Sequence, residues 1–265
     1  MGAQVNEHRF EVISCEAVAE DVFRLVCRTP VAAELAAGQF VNLHVPADAS
    51  HILRIPLSFS RADALSQELE FVFAVVGEGT ARLSHMRPGD ASCLTGPCGK
   101  GWALPGRDGR ALLVAGGMGL APVVACAHML DAAGVSFDVI VGAQSASKHV
   151  SYLNEELRGL VDKSGELIIT TDDGSLGIRG FTTAAMQDML AEHAYACVYS
   201  CGPQPMMAGV ARIARERAFA CQVSLERMMG CGFGACSCCN VELVSGGYAL
   251  CCADGPVFDA EEVVW

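Results

Sequence analysis

Four cysteines near the end of the chain constrain it more than any other feature. Cys231, Cys236 and Cys239 follow at x4 and x2 spacing, and twelve residues then separate Cys239 from Cys252. This is the ligand spacing of a [2Fe–2S] cluster, in which each iron takes two thiolates. A tight loop delivers three of the four only if its backbone curls around the inorganic sulfides. Gly232 and Gly234 suit that curl, because glycine enters φ > 0 and allows close approach. The curled N–H groups then form a nest for an anionic centre. Structural zinc also uses four cysteines, but usually as two Cys-x2-Cys pairs, and one such pair fits here. Six cysteines in 22 residues are denser than packing requires. Cys238 falls outside the rhythm, and spacing does not choose between Cys251 and Cys252.

With 265 residues, 52% of them hydrophobic and 18% charged, the chain has material for two globular domains and a small appendage. A net charge of −12 argues against a nucleic-acid surface. No apolar run reaches membrane-spanning length, so no membrane insertion is expected. Glu7, His8 and Arg9 interrupt any leader-like apolar region. Fourteen cysteines in such a chain point to metal or redox use in a reducing compartment, and hence to the cytoplasm.

Residues 1–102 read as an all-β domain. Arg9–Cys15, Val22–Arg28, Phe40–Val45, Ile52–Ser60, Leu69–Val76 and Ala91–Thr95 are the strand candidates, separated by glycines and prolines. With no long helical period between them, a small Greek-key barrel is expected. Two places carry chemistry. Arg54-Ile55-Pro56-Leu57-Ser58 sets a cation and a hydroxyl in an apolar strand, suited to phosphate oxygens and to the edge of a planar ring. An edge strand with a solvated arginine would read the same way. Gly77-Glu78-Gly79-Thr80 ends a strand with a turn that exposes N–H groups to an anion, although an ordinary β-turn shares the pattern.

From 103 to 220 strands and helices alternate. Strands Ala111–Ala115, Phe137–Gly142, Leu167–Thr171 and Ala196–Cys201 interleave with helices Pro122–Ala133, Tyr152–Leu160, Thr182–Ala191 and Pro205–Ala218. Continuous apolar strands between helices imply a parallel sheet covered on both faces. Gly116, Gly117 and Gly119 lead the first strand into its helix, where a phosphate can reach backbone N–H groups. Cys201-Gly202-Pro203 ends the last strand, the position at which open α/β sheets bind ligands. Cys201 there is a candidate neighbour of a nicotinamide ring, and Asp172-Asp173-Gly174-Ser175 a candidate ribose contact or a plain turn. Residues 221–265 form the cysteine-rich extension.

Taken in order, these motifs resemble the electron-transfer subunits of heteromeric bacterial dihydroorotate dehydrogenases, within the ferredoxin–NAD(P)⁺ reductase superfamily. The most specific match is Met229-Gly-Cys231-Gly-x-Gly-Ala-Cys236-x-x-Cys239, followed by Cys252-x-Asp254-Gly255-Pro256. The resemblance favours Cys252 over Cys251 as fourth ligand. It implies FAD in the barrel, NAD(H) as substrate of the α/β domain and a [2Fe–2S] cluster in the extension. Carried over, the FAD cradle is Ile55, Pro56, Leu57 and Ser58, the backbone of Val72, Phe73 and Ala74, and Gly79 with Thr80.

The family has arginine directly before the proline, whereas here Ile55 holds that place and Arg54 precedes it. Strand alternation separates their faces, which leaves a phosphate role for Arg54 open and makes Arg82 the alternative cation. The implied partner is an FMN-containing dihydroorotate dehydrogenase catalytic subunit in pyrimidine biosynthesis, assembled as a heterotetramer. A related branch, with transhydrogenases and sulfide dehydrogenases, typically has aspartate at the first ligand position, so Cys231 favours the dihydroorotate branch. Two alternatives stand beside this reading. One is the same cofactor chain serving another flavoenzyme or a ferredoxin; the other is a zinc-bound nucleotide-sensing scaffold.

Overall fold

In the computed structural model, which describes residues 5–45, 53–161 and 165–265, period-two burial sets the N-terminal strands. Phe10 and Val12 point inward with Glu11 outward between them. The strands are β1 (Asn6–Ala19), β2 (Val22–Arg28), β3 (Phe40–Leu43), β4 (Ile55–Ser58), β5 (Arg61–Asp63), β6 (Glu68–Ala74) and β7 (Ala91–Cys98). They pair antiparallel in the order β4-β3-β7-β1-β2-β6-β5. The chain passes from β4 through Phe59 and Ser60 straight into β5, so the two edges of the sheet are joined and it curls into a half-barrel. Leu25, Phe71 and Leu94 fill it. Ile52, the first residue of one expected strand, lies outside the described residues.

Beside the expected strands stands α1 (Glu78–Leu83), where the glycine turn was anticipated. Thr80 explains the helical start: its hydroxyl accepts the Val76 N–H at 3.0 Å and the Gly77 N–H at 3.2 Å. Those donors have no partner within the helix.

The second sheet contains β8 (Ala111–Gly116), β9 (Phe137–Ala143), β10 (Leu167–Thr171), β11 (Ile178–Arg179), β12 (Cys197–Cys201), β13 (Ala220–Ser224) and β16 (Val257–Asp259). Its order is β11-β10-β9-β8-β12-β13-β16, parallel throughout except for the β13/β16 pair. Helices α2 (Leu120–Ala132), α3 (Ser151–Leu160), α4 (Thr182–Glu192) and α5 (Gln204–Glu216) cover it. α2 is apolar around most of its circumference because it is wedged between two layers. Leu120, Val123 and Val124 face the sheet, while Ala125 enters the barrel core.

The expected boundary at 220/221 falls inside β13, because the extension returns its own last strand, β16, to the edge of the nucleotide sheet. Between them lie the cysteine loop and the hairpin of β14 (Asn240–Glu242) and β15 (Tyr248–Leu250). One core runs through all three parts: Phe40 and Cys98 of the barrel, Val198 and Ile213 of the sheet layer, Cys251 and Phe258 of the extension. Among the described residues, no helix is long and apolar enough to cross a membrane.

Candidate functional site

Between the barrel and the sheet lies a cavity of about 510 Å³. Ile55, Pro56, Leu57 and Ser58 of β4 and Val72, Phe73 and Ala74 of β6 form two of its walls, and Gly77, Gly79 and Thr80 close one end. The nucleotide domain contributes Met118, Ala121 and Pro122 from the β8–α2 turn. Nine of the ten barrel residues expected to cradle a flavin thus surround one space. A slot with apolar walls, backbone edges and a few hydroxyls suits a planar heteroaromatic ring.

Arg54 is the exception. Its guanidinium pairs with Glu7 and lies 3.8 Å from Cys93 Sγ, and it does not line the cavity. Arg82 does not line the cavity either; it bonds Glu78 at 2.7 Å, one turn back along α1. Among the described residues, the cation that borders the cavity is Arg227, beside Glu226, and the two follow β13 after Leu225. Glu226 is exposed, and partial desolvation shifts its carboxyl upward. Phe40, Leu225, Met229 and Pro256 also line it. Sequence reading missed these residues because they reach the cavity from separate segments: Phe40 from β3, Leu225, Glu226, Arg227 and Met229 from beyond β13, and Pro256 from the extension. The one available signal was the position of Glu226-Arg227 immediately after an apolar strand-like run.

At the C-terminal ends of β8 and β12 the glycine turn and the Cys201–Pro203 turn close on one another. A Cβ on Gly119 would lie 2.2 Å from the Cys201 carbonyl oxygen, and one on Gly116 would lie 2.5 Å from Met206 Sδ. This close approach is why the first helical turn abuts the strand end, with α2's N-terminus facing the cavity. Gly117 and Gly202 belong to the same junction. Cys201 is buried and its thiol bonds the Ser224 carbonyl at 3.4 Å; burial pushes its pKa upward. Its side chain does not line the cavity. Asp173 Oδ1 accepts the Ser175 N–H at 2.9 Å and the Ser175 hydroxyl at 2.6 Å, an ordinary Asx turn.

The cysteine loop curls as its glycines suggest, with Gly232 at φ 79° and Gly234 at φ 88°. Backbone N–H groups turn toward three of its thiols. The Ala235 N–H points at Cys231 Sγ (3.3 Å), the Gly234 N–H at Cys252 Sγ (3.2 Å) and the Cys252 N–H at Cys239 Sγ (3.4 Å). Desolvation raises the Cys231 pKa, but donation from the Phe233, Cys236 and Ala235 N–H groups outweighs it and brings the thiol down to about 6. These donors are poised for thiolates, as the ligands of a [2Fe–2S] centre are. Among the described residues, no three Cys, His, Asp or Glu side chains gather as a single metal ion requires. Cys251, fully buried, instead bonds the Leu225 carbonyl at 3.2 Å, and Cys238 is exposed.

Comparison with known proteins covers each part in turn. Residues 9–102 match an oxidoreductase FAD-binding domain, 113–212 an oxidoreductase NAD-binding domain, and 226–264 the iron–sulfur cluster binding domain of dihydroorotate dehydrogenase B. The electron transfer subunit of dihydroorotate dehydrogenase B (NAD(+)) from Geobacillus kaustophilus is 36% identical over 98% of this chain and 99% of its own. That of Streptococcus pneumoniae is 34% identical over 96% and 97%. A solved NADH-dependent reduced ferredoxin–NADP oxidoreductase, described in terms of flavin-based electron bifurcation, superposes with a TM-score of 0.85 at 32% identity, over 96% of this chain and 89% of that one. The chain belongs to the family of dihydroorotate dehydrogenase B electron-transfer subunits, within the ferredoxin reductase-like fold.

Proposed function

We propose that this chain carries electrons between NAD(H) and an FMN-containing dihydroorotate dehydrogenase catalytic subunit in pyrimidine biosynthesis, as part of a cytoplasmic heterotetramer. One observation carries the reading: the flavin cavity and the cysteine loop share a wall. Met229 lines the cavity two residues before Cys231, and Pro256 lines it four residues after Cys252. When bound, FAD supplies the exchange between a hydride at NAD(H) and single electrons, which a [2Fe–2S] centre transfers one at a time.

The residues of this chain orient and shield. β4 and β6, with the Ser58 hydroxyl, would hold the flavin ring, and Thr80, which organises the start of α1, would help hold its diphosphate. The junction of Gly116, Gly117 and Gly119 with Gly202 and Pro203 would hold the dinucleotide at the C-terminal ends of β8 and β12. Cys231, Cys236, Cys239 and Cys252 would hold the cluster. No acid–base side chain is needed for the hydride exchange itself. The curated relatives carry NAD(+) in their names, which supports NAD(H) as the nucleotide. Fourteen free cysteines suit a reducing compartment.

The likeness to the ferredoxin–NADP oxidoreductase supports a second reading, the same cofactor chain serving another flavoenzyme or a ferredoxin. Cys231 at the first ligand position favours the dihydroorotate partner. An anaerobic visible spectrum of the purified chain, before and after NADH, tests the cofactor reading. Flavin bands over broad cluster absorption, both bleaching, are expected; a colourless protein overturns it. Dihydroorotate oxidation by the isolated chain would overturn the division of labour, and the FMN protein that co-purifies separates the two partner readings.

A further inference from the structure

Asn42 is a buried carboxamide on β3 that the cofactor reading has not used. It is 2% exposed, and its neighbours Phe40, Val41 and Leu43 are equally buried. Burying an amide without adequate partners costs about 2–7 kcal/mol, so its surroundings are informative. A carboxamide offers two N–H donors. The hydrogen bond Asn42 makes among the described residues is from Nδ2 to Cys98 Sγ at 3.4 Å, and a thiol sulfur is a weak acceptor.

The other face of the amide lies on the cysteine loop. A Cβ on Gly232 would fall 2.1 Å from Asn42 Nδ2 and 2.7 Å from its Cγ. Gly232 therefore lacks a side chain for two reasons, its positive φ and this contact. It directly follows Cys231. On the barrel side, β3 sets Asn42 opposite Pro56 of the flavin wall, and Phe40, two residues earlier on the same face, lines the cavity.

We propose that Asn42 is a positioning residue of the flavin barrel whose amide N–H stabilises the Cys231 arm of the cluster and raises the cluster's reduction potential. The physical basis is general. Reduction adds negative charge to an already anionic thiolate centre, and donors near its sulfurs favour the reduced form. The loop's own donors are backbone N–H groups, whereas Asn42 supplies a side-chain dipole from the flavin side. The inference rests on the cluster reading, which the wild-type chain's iron content and EPR signal test separately.

The experiment is an EPR-monitored redox titration of the holoprotein and its Asn42→Leu and Asn42→Ser variants, with flavin potentials read optically in the same samples. The expected result is full iron and FAD content with the cluster's reduction equilibrium about tenfold less favourable, a negative shift of about 59 mV for one electron, and an unchanged flavin potential. If Leu is too bulky beside Gly232 for the cluster to assemble, Asn42→Ser removes the amide without adding volume and gives the reading alone. An unchanged cluster potential in an iron-replete variant overturns the proposal. So does an equal shift of flavin and cluster, which marks a general rearrangement rather than a local donor.

Discussion

Arg61 at the barrel's edge donates to Glu156 on α3 at 2.7 Å, tying the flavin domain to the nucleotide domain. His128 of α2 approaches the same oxygen at 2.6 Å. The His128 hydrogen bond first, and then the Arg61 charge against the cost of burial, hold Glu156 below its ordinary value of 4.5. A carboxylate with a depressed folded-state pKa contributes its stability fully above the unfolded value and loses it as pH falls through the folded one. Glu156→Gln should therefore cost about 1–3 kcal/mol near neutrality, and the gap to wild type should close below about pH 4. Thermal melts of both proteins across pH 3–8 check this; a constant gap excludes the ion pair as its source.

Gly119→Ala places a methyl against the Cys201 carbonyl and the Gly202 nitrogen, all backbone atoms. Neither strand end can yield cheaply, so a loss of about 1–3 kcal/mol or more is expected. The nucleotide junction should suffer as well. Stopped-flow reduction of the bound flavin should show weakened NADH affinity at temperatures where the variant remains folded.

Serine at Cys231, Cys236, Cys239 or Cys252 should abolish the cluster's EPR signal and lower iron per chain while leaving FAD in place. Cys238→Ser and Cys251→Ser should retain iron. Of these two, Cys251→Ser should lower stability, since its thiol is buried and bonded to the Leu225 carbonyl. Iron analysis and melting curves of all six variants separate ligands from neighbours.

Arg54→Ala should leave FAD content close to wild type, because that guanidinium is spent on Glu7 beyond the cavity. Thr80→Val should reduce it severalfold, because the hydroxyl that organises the start of α1 at the cavity's end is lost. Released flavin, measured by fluorescence after dialysis, reports both.

The chain's local patterns carried most of the fold. β2 and β10 span the same residues in sequence and structure, and the four long helices differ by a residue or two at their ends. α1 was hidden because six residues behind two glycines look like a turn until the Thr80 hydroxyl is placed. β16 was hidden for a different reason. Three apolar-to-acidic residues, Val257–Asp259, show no strand period, and their place is set by a partner more than thirty residues earlier in the chain, β13. The site was legible where one segment builds it, as in the cysteine loop and β4. It was not where distant segments meet, as Phe40, Arg227 and Pro256 do around the cavity. Alternation left the role of Arg54 open, and it did not decide the site, since the consecutive residues Ile55 to Ser58 all line the cavity.

The extension is fastened at two points. β16 is annealed to the nucleotide sheet, and just before it the Lys100 N–H of the barrel's exit meets the Gly255 carbonyl at 2.5 Å. Two domains joined by a linker are expected to hinge; two domains joined by a linker and a cross-brace form a triangle. Nucleotide junction, flavin wall and cysteine loop are its corners, and a triangle cannot change one side without straining the others.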